Sequence, residues 1–223
     1  MHYKKWLIIY LMILGLMPTR KADAFIIINE ILADPPSGIA GDANKDGNSS
    51  STQDEFVELL NTGYSPENIS GWYLTDSINA RHIFPANTSI SQGEYWVVFG
   101  GGLLGNLNVH AQTASTGTLS LNNTGDTVSL FRQDQSLVDR VVYNDMANHD
   151  QSITRMPEGE GPFVLHGSIP QASGKLYSAG KGVDGSLRYD LGAQSIPEAP
   201  TSLYFLLGFY IFFIMRRHSF EMP

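Results

Sequence analysis

The stretch from Asp42 to Asn48 has the residue types and spacing best suited to chemistry. It reads Asp-Ala-Asn-Lys-Asp-Gly-Asn, so an oxygen-bearing side chain recurs at every second residue and Gly47 permits a sharp turn. Calcium takes about six to eight oxygen ligands, and alternating Asp and Asn residues supply several from one short loop. The sequence therefore predicts a calcium site. Its candidate ligands are Asp42, Asn44, Asp46, Asn48, Asp54 and Glu55.

This loop matches the first half of an EF-hand-type calcium loop and departs from it in the second half. The twelfth position counted from Asp42 is Gln53 instead of Glu, and no helical pattern flanks the loop. The loop is therefore expected between two strands. A solvated polar turn is the alternative, because the same composition also forms ordinary turns.

Signals for catalysis are weak along the rest of the chain. The four histidines between the two terminal segments, His82, His110, His149 and His166, are far apart in sequence and form no His-x-Glu pair. A Gly-x-Ser-x-Gly motif is absent, and the triple glycine at 100–102 has no Lys-Ser/Thr after it. The lack of cysteine excludes disulfides, thiolate metal sites and a cysteine nucleophile. We expect the protein not to be an enzyme.

The elements that position these residues are short strands. Charged residues make up only 16% of the chain and there are 22 glycines, a composition that favours strands and turns over surface-charged helices. Runs of strand-forming residues bounded by turn residues occur at 25–33, 55–61, 69–75, 81–84, 95–99, 127–132, 137–143, 152–156 and 163–166. The pattern predicts an all-β, immunoglobulin-like β-sandwich that forms one domain over residues 25–167.

The N-terminus has the features of a secretory signal peptide. Lys4 and Lys5 form a charged start, residues 6–17 are mostly apolar, and Ala22 and Ala24 mark a small-residue cleavage site. Residues 1–24 are therefore predicted to be removed on export, so that the mature chain begins at Phe25. A retained anchor helix is the alternative, although the apolar stretch is short for a membrane span.

The C-terminus has a three-part layout. After a Gly/Ser-rich linker at 168–195, Pro197 and Glu198 precede a transmembrane segment, predicted at 201–215 as a hydrophobic helix, and then Arg216 and Arg217. The arginines are expected to stay in the cytoplasm, which leaves the domain outside. Residues 196–223 resemble the PEP-CTERM sorting signal of Gram-negative bacteria, although Ala199 replaces its second proline. The resemblance implies an exosortase-like processing enzyme as partner and a cell-surface or extracellular location, with transient or stable anchoring. A plain C-terminal anchor is the alternative.

Six segments between the termini carry a family resemblance. In order, they read INEILADP, DEFVELLN, SGWYLTD, LNNTGDTVSL, VDRVVY and SITRMP, within residues 26–166. Together they resemble the lamin tail domain of the bacterial secreted type. The resemblance implies an immunoglobulin-like sandwich that serves as a binding or scaffolding module without catalytic activity.

The excess of acidic over basic residues bears on which partners the protein can bind. Between Phe25 and Glu198 there are eight Lys and Arg against twenty Asp and Glu. This negative charge repels nucleic-acid phosphates, which counts against general nucleic-acid binding.

Two function classes stay open. The first is a structural or adhesive module of the surface or matrix, stabilised by calcium. The alternative is a recognition module that holds a glycan, a peptide or a nucleic acid in its loops. An exposed cluster of Tyr73, Tyr95 and Trp96 favours a glycan, and burial of all three favours the structural class.

Overall fold

The computed structural model describes residues 25–188, and these form an all-β architecture. The strands are β1 (Ile26–Leu32), β2 (Phe56–Asn61), β3 (Glu67–Asn68), β4 (Tyr73–Thr75), β5 (Ala80–Ile83), β6 (Ser89–Ile90), β7 (Tyr95–Phe99), β8 (His110–Thr113), β9 (Gly125–Phe131), β10 (Leu137–Asn144), β11 (Ile153–Arg155) and β12 (Phe163–Leu165). Short 3-10 helices lie at Gly38–Gly41, Asp145–Ala147, His166–Ser168 and Pro170–Ala172. Within the described range, no helix is long and apolar enough to cross a bilayer.

Two main sheets contain ten of the strands. A six-stranded sheet has the order β12-β11-β1-β2-β7-β8, a four-stranded sheet has the order β10-β9-β4-β5, and β3 pairs with β6 apart from them. Neighbouring strands run antiparallel except β7 and β8, which are parallel. The prediction of an all-β sandwich is confirmed.

The main core lies between the two sheets. Ile28, Leu59 and Trp96 belong to the six-stranded sheet, and Leu74 and Leu130 to the four-stranded sheet, within one buried cluster. Inward residues alternate with outward ones, as the side-chain period of a strand requires. Burial of such side chains supplies most of the favourable free energy of folding.

Three strands were not predicted from the sequence. Strands β3 and β6 have two residues each, too few for any alternation to show. Strand β8 reads His-Ala-Gln-Thr and owes its conformation to parallel pairing with β7, from Trp96 with His110 to Phe99 with Thr113. Tertiary pairing, not local propensity, makes β8 a strand.

The outer face of the six-stranded sheet is also covered. Leu32, Phe56 and Phe99 are fully buried on this face, and Tyr177 packs against them. We call residues 166–188 the C-terminal strap. Residues of this strap pack against the sheet, as a linker would not. The linker predicted at 168–195 is therefore wrong over its described part, 168–188. Its apolar residues, among them Ile169, are separated by Gly and Ser without period, so no element was recognisable in the sequence.

We expect the strap to be essential for stability. A chain of residues 25–167 loses the cover over an apolar sheet face, whereas a chain of residues 25–188 keeps it. Burial of a single Phe or Leu side chain contributes about 1.5–3 kcal/mol. The shorter chain should lose more than about 3 kcal/mol of unfolding free energy in urea titrations, because several such side chains become exposed. Equal unfolding midpoints for the two chains would place the domain boundary at 167.

Candidate functional site

The acidic loop, residues 42–54, curls around the carboxylate of Asp42. Asp42 Oδ2 accepts a hydrogen bond from the Gly47 backbone N–H at 3.1 Å. Asn44 Oδ1 accepts from Asp46 N–H at 3.0 Å, and Asp46 Oδ1 accepts from Asn48 N–H at 2.8 Å. Gly47 has φ of +93°, a conformation that L side chains rarely adopt. The alternating oxygens thus set the shape of the loop.

Asp54 holds this loop from its C-terminal end. Its side chain is fully buried, and Oδ1 accepts from the backbone N–H groups of Ala43 at 2.8 Å and Asn44 at 3.0 Å. The other oxygen, Oδ2, accepts from Ser50 N–H at 2.7 Å. Both oxygens are therefore engaged by backbone donors, which makes Asp54 a positioning residue for the loop.

Glu55 lies apart from the other predicted calcium ligands. Its Oε2 accepts from Leu121 N–H at 3.3 Å, so the carboxylate is directed at the segment before β9. Burial raises the pKa of Glu55 from 4.5 to about 8, partly offset by hydrogen bonds from the Leu121 and Ser120 backbone. The structure does not bring Glu55 into the site predicted from the sequence.

The predicted ligands that do come together are Asp42, Asn44 and Asp46, while Asn48 is exposed beside Asp46. Among residues 25–188, no three His, Cys, Asp or Glu side chains are placed to hold a metal ion. Any cation in the loop must therefore also bind amide or backbone oxygens.

A second polar cluster, formed by residues outside the site predicted from the sequence, lies under the strap. Glu30 accepts from Ser152 Oγ at 2.6 Å, from Ser178 N–H at 2.9 Å and from Ser178 Oγ at 2.6 Å. Glu58 accepts from Asn29 Nδ2 at 3.0 Å and from Gly180 N–H at 2.8 Å. Two adjacent strands thus hold the strap through carboxylates.

Glu158 joins this cluster from the segment between β11 and β12. Its Oε1 accepts from the Tyr95 hydroxyl at 3.2 Å, and its Oε2 accepts from Val183 N–H at 3.2 Å. Burial raises the pKa of Glu158, and burial followed by the charge of Glu30 raises the pKa of Glu58 well above the ordinary range. Glu58 and Glu158 therefore retain their protons at pH values where isolated glutamates are ionised.

The sequence held one signal for this cluster. Glu30 and Glu58 each carry a charge inside a mostly apolar strand, in Ile-Ile-Ile-Asn-Glu-Ile-Leu and Phe-Val-Glu-Leu-Leu-Asn. A charged residue inside such a run indicates either a site or a buried partner. The partners come from Ser178 and Gly180, more than a hundred residues away, which the sequence does not reveal.

The four histidines do not converge. His82 is buried and contacts Gln112 Oε1 at 2.9 Å, while His166 is buried with Nδ1 2.9 Å from the Lys175 carbonyl. His110 pairs with Glu94 at 2.8 Å, and His149 is exposed. Each has a different environment.

Two of the three candidate glycan-contacting aromatics are buried. Tyr95 and Trp96 lie in the interior, and Tyr73 is half-buried with its ring stacked on Phe131 at 5.2 Å between centroids. Trp96 stacks on His110 at 5.1 Å. The exposed cluster that would favour a glycan is therefore not formed by these three residues.

The predicted processing sites remain predictions. Ala22 and Ala24 of the signal peptide, and Pro197 and Glu198 of the sorting motif, lie outside the described residues.

Glu55 should make the protein less stable as pH rises from about 4.5 to 8. Its folded pKa of about 8 exceeds its ordinary 4.5, so the folded state keeps a proton that the unfolded chain releases in this window. Glu55→Gln retains an acceptor for the Leu121 N–H and removes the ionisation. We expect the variant to lose less unfolding free energy across this window, by up to about 1.4 kcal/mol per pH unit, in urea titrations.

A matched control is Glu160→Gln, because Glu160 is exposed. It should leave the pH dependence unchanged. Identical pH profiles for the wild type and Glu55→Gln would show that Glu55 ionises normally in the fold.

Comparison with known proteins assigns the chain to a family. The lamin tail domain model matches residues 19–145, more than half of the 223 residues. The match includes β1 to β10 and ends before β11, β12 and the strap. No curated protein matches the chain. Because this model matches more than half of the chain and the fold is an all-β sandwich, the chain belongs to the lamin tail domain family.

Proposed function

We propose that the protein is an exported, non-catalytic structural or adhesion module of the cell surface or extracellular matrix. One observation carries the proposal: the chain's own strap covers the sheet face that holds Glu30, Glu58 and Tyr95. Acidic and aromatic side chains often bind ligands, but on this face they are buried and contact other parts of the same chain. A sheet covered on both faces is suited to a rigid module.

Family membership supports the same class. Lamin tail domains are β domains often found in structural or surface proteins, and the family is a non-catalytic one. Fold and family alone name no ligand, so the partner on the surface or in the matrix stays unidentified in this proposal.

The terminal segments support delivery to the outside. The predicted signal peptide at 1–24 implies export, and the PEP-CTERM-like tail predicted at 196–223 implies membrane insertion followed by processing by an exosortase-like enzyme. Arg216 and Arg217 would stay on the cytoplasmic side. The proposed location is the surface or exterior of a Gram-negative bacterium.

A recognition module is the second candidate, and one surface favours it. On the outer face of the four-stranded sheet, cross-strand register aligns Leu137, Phe131, Tyr73 and Ile83 in one row. A groove of about 490 Å³ adjoins the row, with Arg140 and Asp76 among its lining residues. Aromatic surface beside polar groups suits a glycan better than a nucleic acid, given the acidic charge of the chain.

Sorting is tested by changing the motif. We expect the exported chain to start at Phe25 and to lose its apolar tail. Pro197→Ala with Glu198→Ala should leave the protein in the membrane fraction, because the apolar run stays attached. Cell fractionation with mass spectrometry of both termini measures this outcome. Ser195→Ala is the control and should be processed normally. Recovery of the chain with Met1 intact in the cytosol would refute export.

Glycan recognition is tested on the aromatic row. If this surface binds polysaccharide, Tyr73→Ala should lower the affinity of the protein for extracellular polysaccharide by up to about tenfold, since an aromatic contact contributes about 0.5–1.5 kcal/mol. Tyr64→Ala changes an exposed tyrosine elsewhere and is the control. The absence of retention by the wild type would leave the structural class as the sole proposal.

A further inference from the structure

We propose that the acidic loop binds one calcium ion through Asp42, Asp46 and neutral oxygens, and that the ion fixes the C-terminal strap through Tyr177. The proposal rests on the proposed function in one respect only: an exterior location supplies enough free calcium for a weak site. Two of the six ligands predicted from the sequence, Asp42 and Asp46, carry it, and Gln53 is added to them.

The first observation is an unpartnered buried oxygen. Asp42 is 5% exposed, and its Oδ1 has no hydrogen-bond partner among the described residues. Its Oδ2 accepts from Gly47 N–H at 3.1 Å, which holds the carboxylate against the turn at Gly47. A buried carboxylate oxygen without a partner is costly, and a cation removes that cost.

A second set of oxygens lies against Gly102. Asp46 Oδ2 and Gln53 Oε1 are 2.9 and 3.1 Å from the position that a Cβ on Gly102 would take, and the Asn44 Nδ2 donor lies beside them at 2.7 Å. Asp46 uses its other oxygen, Oδ1, to accept from Asn48, so Oδ2 remains available within the described residues. Gln53 is the residue at the twelfth position of the loop, where an EF-hand-type loop has its last ligand.

Hydrogen bonds to backbone groups hold the loop in this shape. Asn44 Nδ2 donates to the Gly101 carbonyl at 3.2 Å, and Gly105 N–H donates to the Asn44 carbonyl at 2.9 Å. Asp54 bonds three loop N–H groups. The ligands therefore lose little conformational entropy on binding, which increases affinity.

The available donors select a hard cation. Carboxylate, amide and carbonyl oxygens suit calcium, and no His or Cys side chain lies in the loop for zinc. The proposed ligands include only two carboxylates, those of Asp42 and Asp46, so we expect the affinity of an extracellular calcium module, with a Kd of about 0.1–1 mM.

Tyr177 connects this loop to the strap. Its hydroxyl donates to the Ala40 carbonyl at 2.9 Å and lies 3.5 Å from the Asp42 carbonyl oxygen. Its ring packs edge-on against Phe56 at 6.1 Å, and Lys45 Nζ lies 5.9 Å from the ring centroid. Fixing the backbone at Asp42 therefore fixes the strap residue that covers β2.

Calcium titration of the full-length chain, purified in detergent, tests the site. Calorimetry should give a Kd of about 0.1–1 mM, with calcium raising the melting temperature by a few degrees. Asp46→Asn keeps the acceptor for Asn48 and removes one charged ligand, so its Kd should rise at least about tenfold. Asp134→Asn is the matched control, because Asp134 makes the same kind of bond, to Ser136 N–H, in an exposed turn.

Hydrogen exchange tests the connection to the strap. Calcium should slow amide exchange in residues 173–188 of the wild type, whereas Tyr177→Phe should bind calcium and show less slowing. Identical melting in calcium and EDTA, with no binding heat, would overturn the site. Calcium binding with unchanged exchange in the strap would overturn the connection. A protein that is exported and sorted normally but binds no calcium refutes this inference and leaves the proposed function intact.

Discussion

The fold depends on the hydrogen bonds that two neighbouring buried glutamates accept from other groups of the protein. Glu30 and Glu58 are direct cross-strand partners in β1 and β2, and both are completely buried. Like charges directly opposite one another destabilise a sheet, and an unpaired buried carboxylate is costlier still. All four carboxylate oxygens accept hydrogen bonds, and Ser178 and Gly180 of the strap supply three of those bonds. The glutamates thus require the strap, and the strap requires them.

The need of Glu30 and Glu58 for partners explains why the packed fold extends beyond residue 145, where the family match ends. The strap adds a third layer over the six-stranded sheet and buries Phe56 and Phe99 on the face away from the main core. The same layer meets the acidic loop at Tyr177. Structural stability, the covered sheet face and the proposed calcium site are therefore parts of one arrangement. Such an arrangement suits the structural module that we propose.

The strands that could be predicted from the sequence are those marked by a pattern of neighbouring residues. Alternation in 127–132 and the apolar runs of β1, β2 and β7 indicated strands and a two-sheet core, and these are present. The strap was missed because its bonds to Glu30 and Glu58 join residues more than a hundred positions apart. Glu55 was assigned to the calcium loop because it follows Asp54 directly, but its carboxylate accepts from Leu121 N–H, which lies more than sixty residues further along the chain.

The most direct test of the account is the amide exchange of Ser178 and Gly180 in the native protein. These N–H groups donate to Glu30 and Glu58 at 2.9 and 2.8 Å. If the strap is an integral layer, both amides should exchange as slowly as those of β2, that is, only through global unfolding. Rapid exchange, as in an exposed loop, would show that the strap opens independently and would contradict the account.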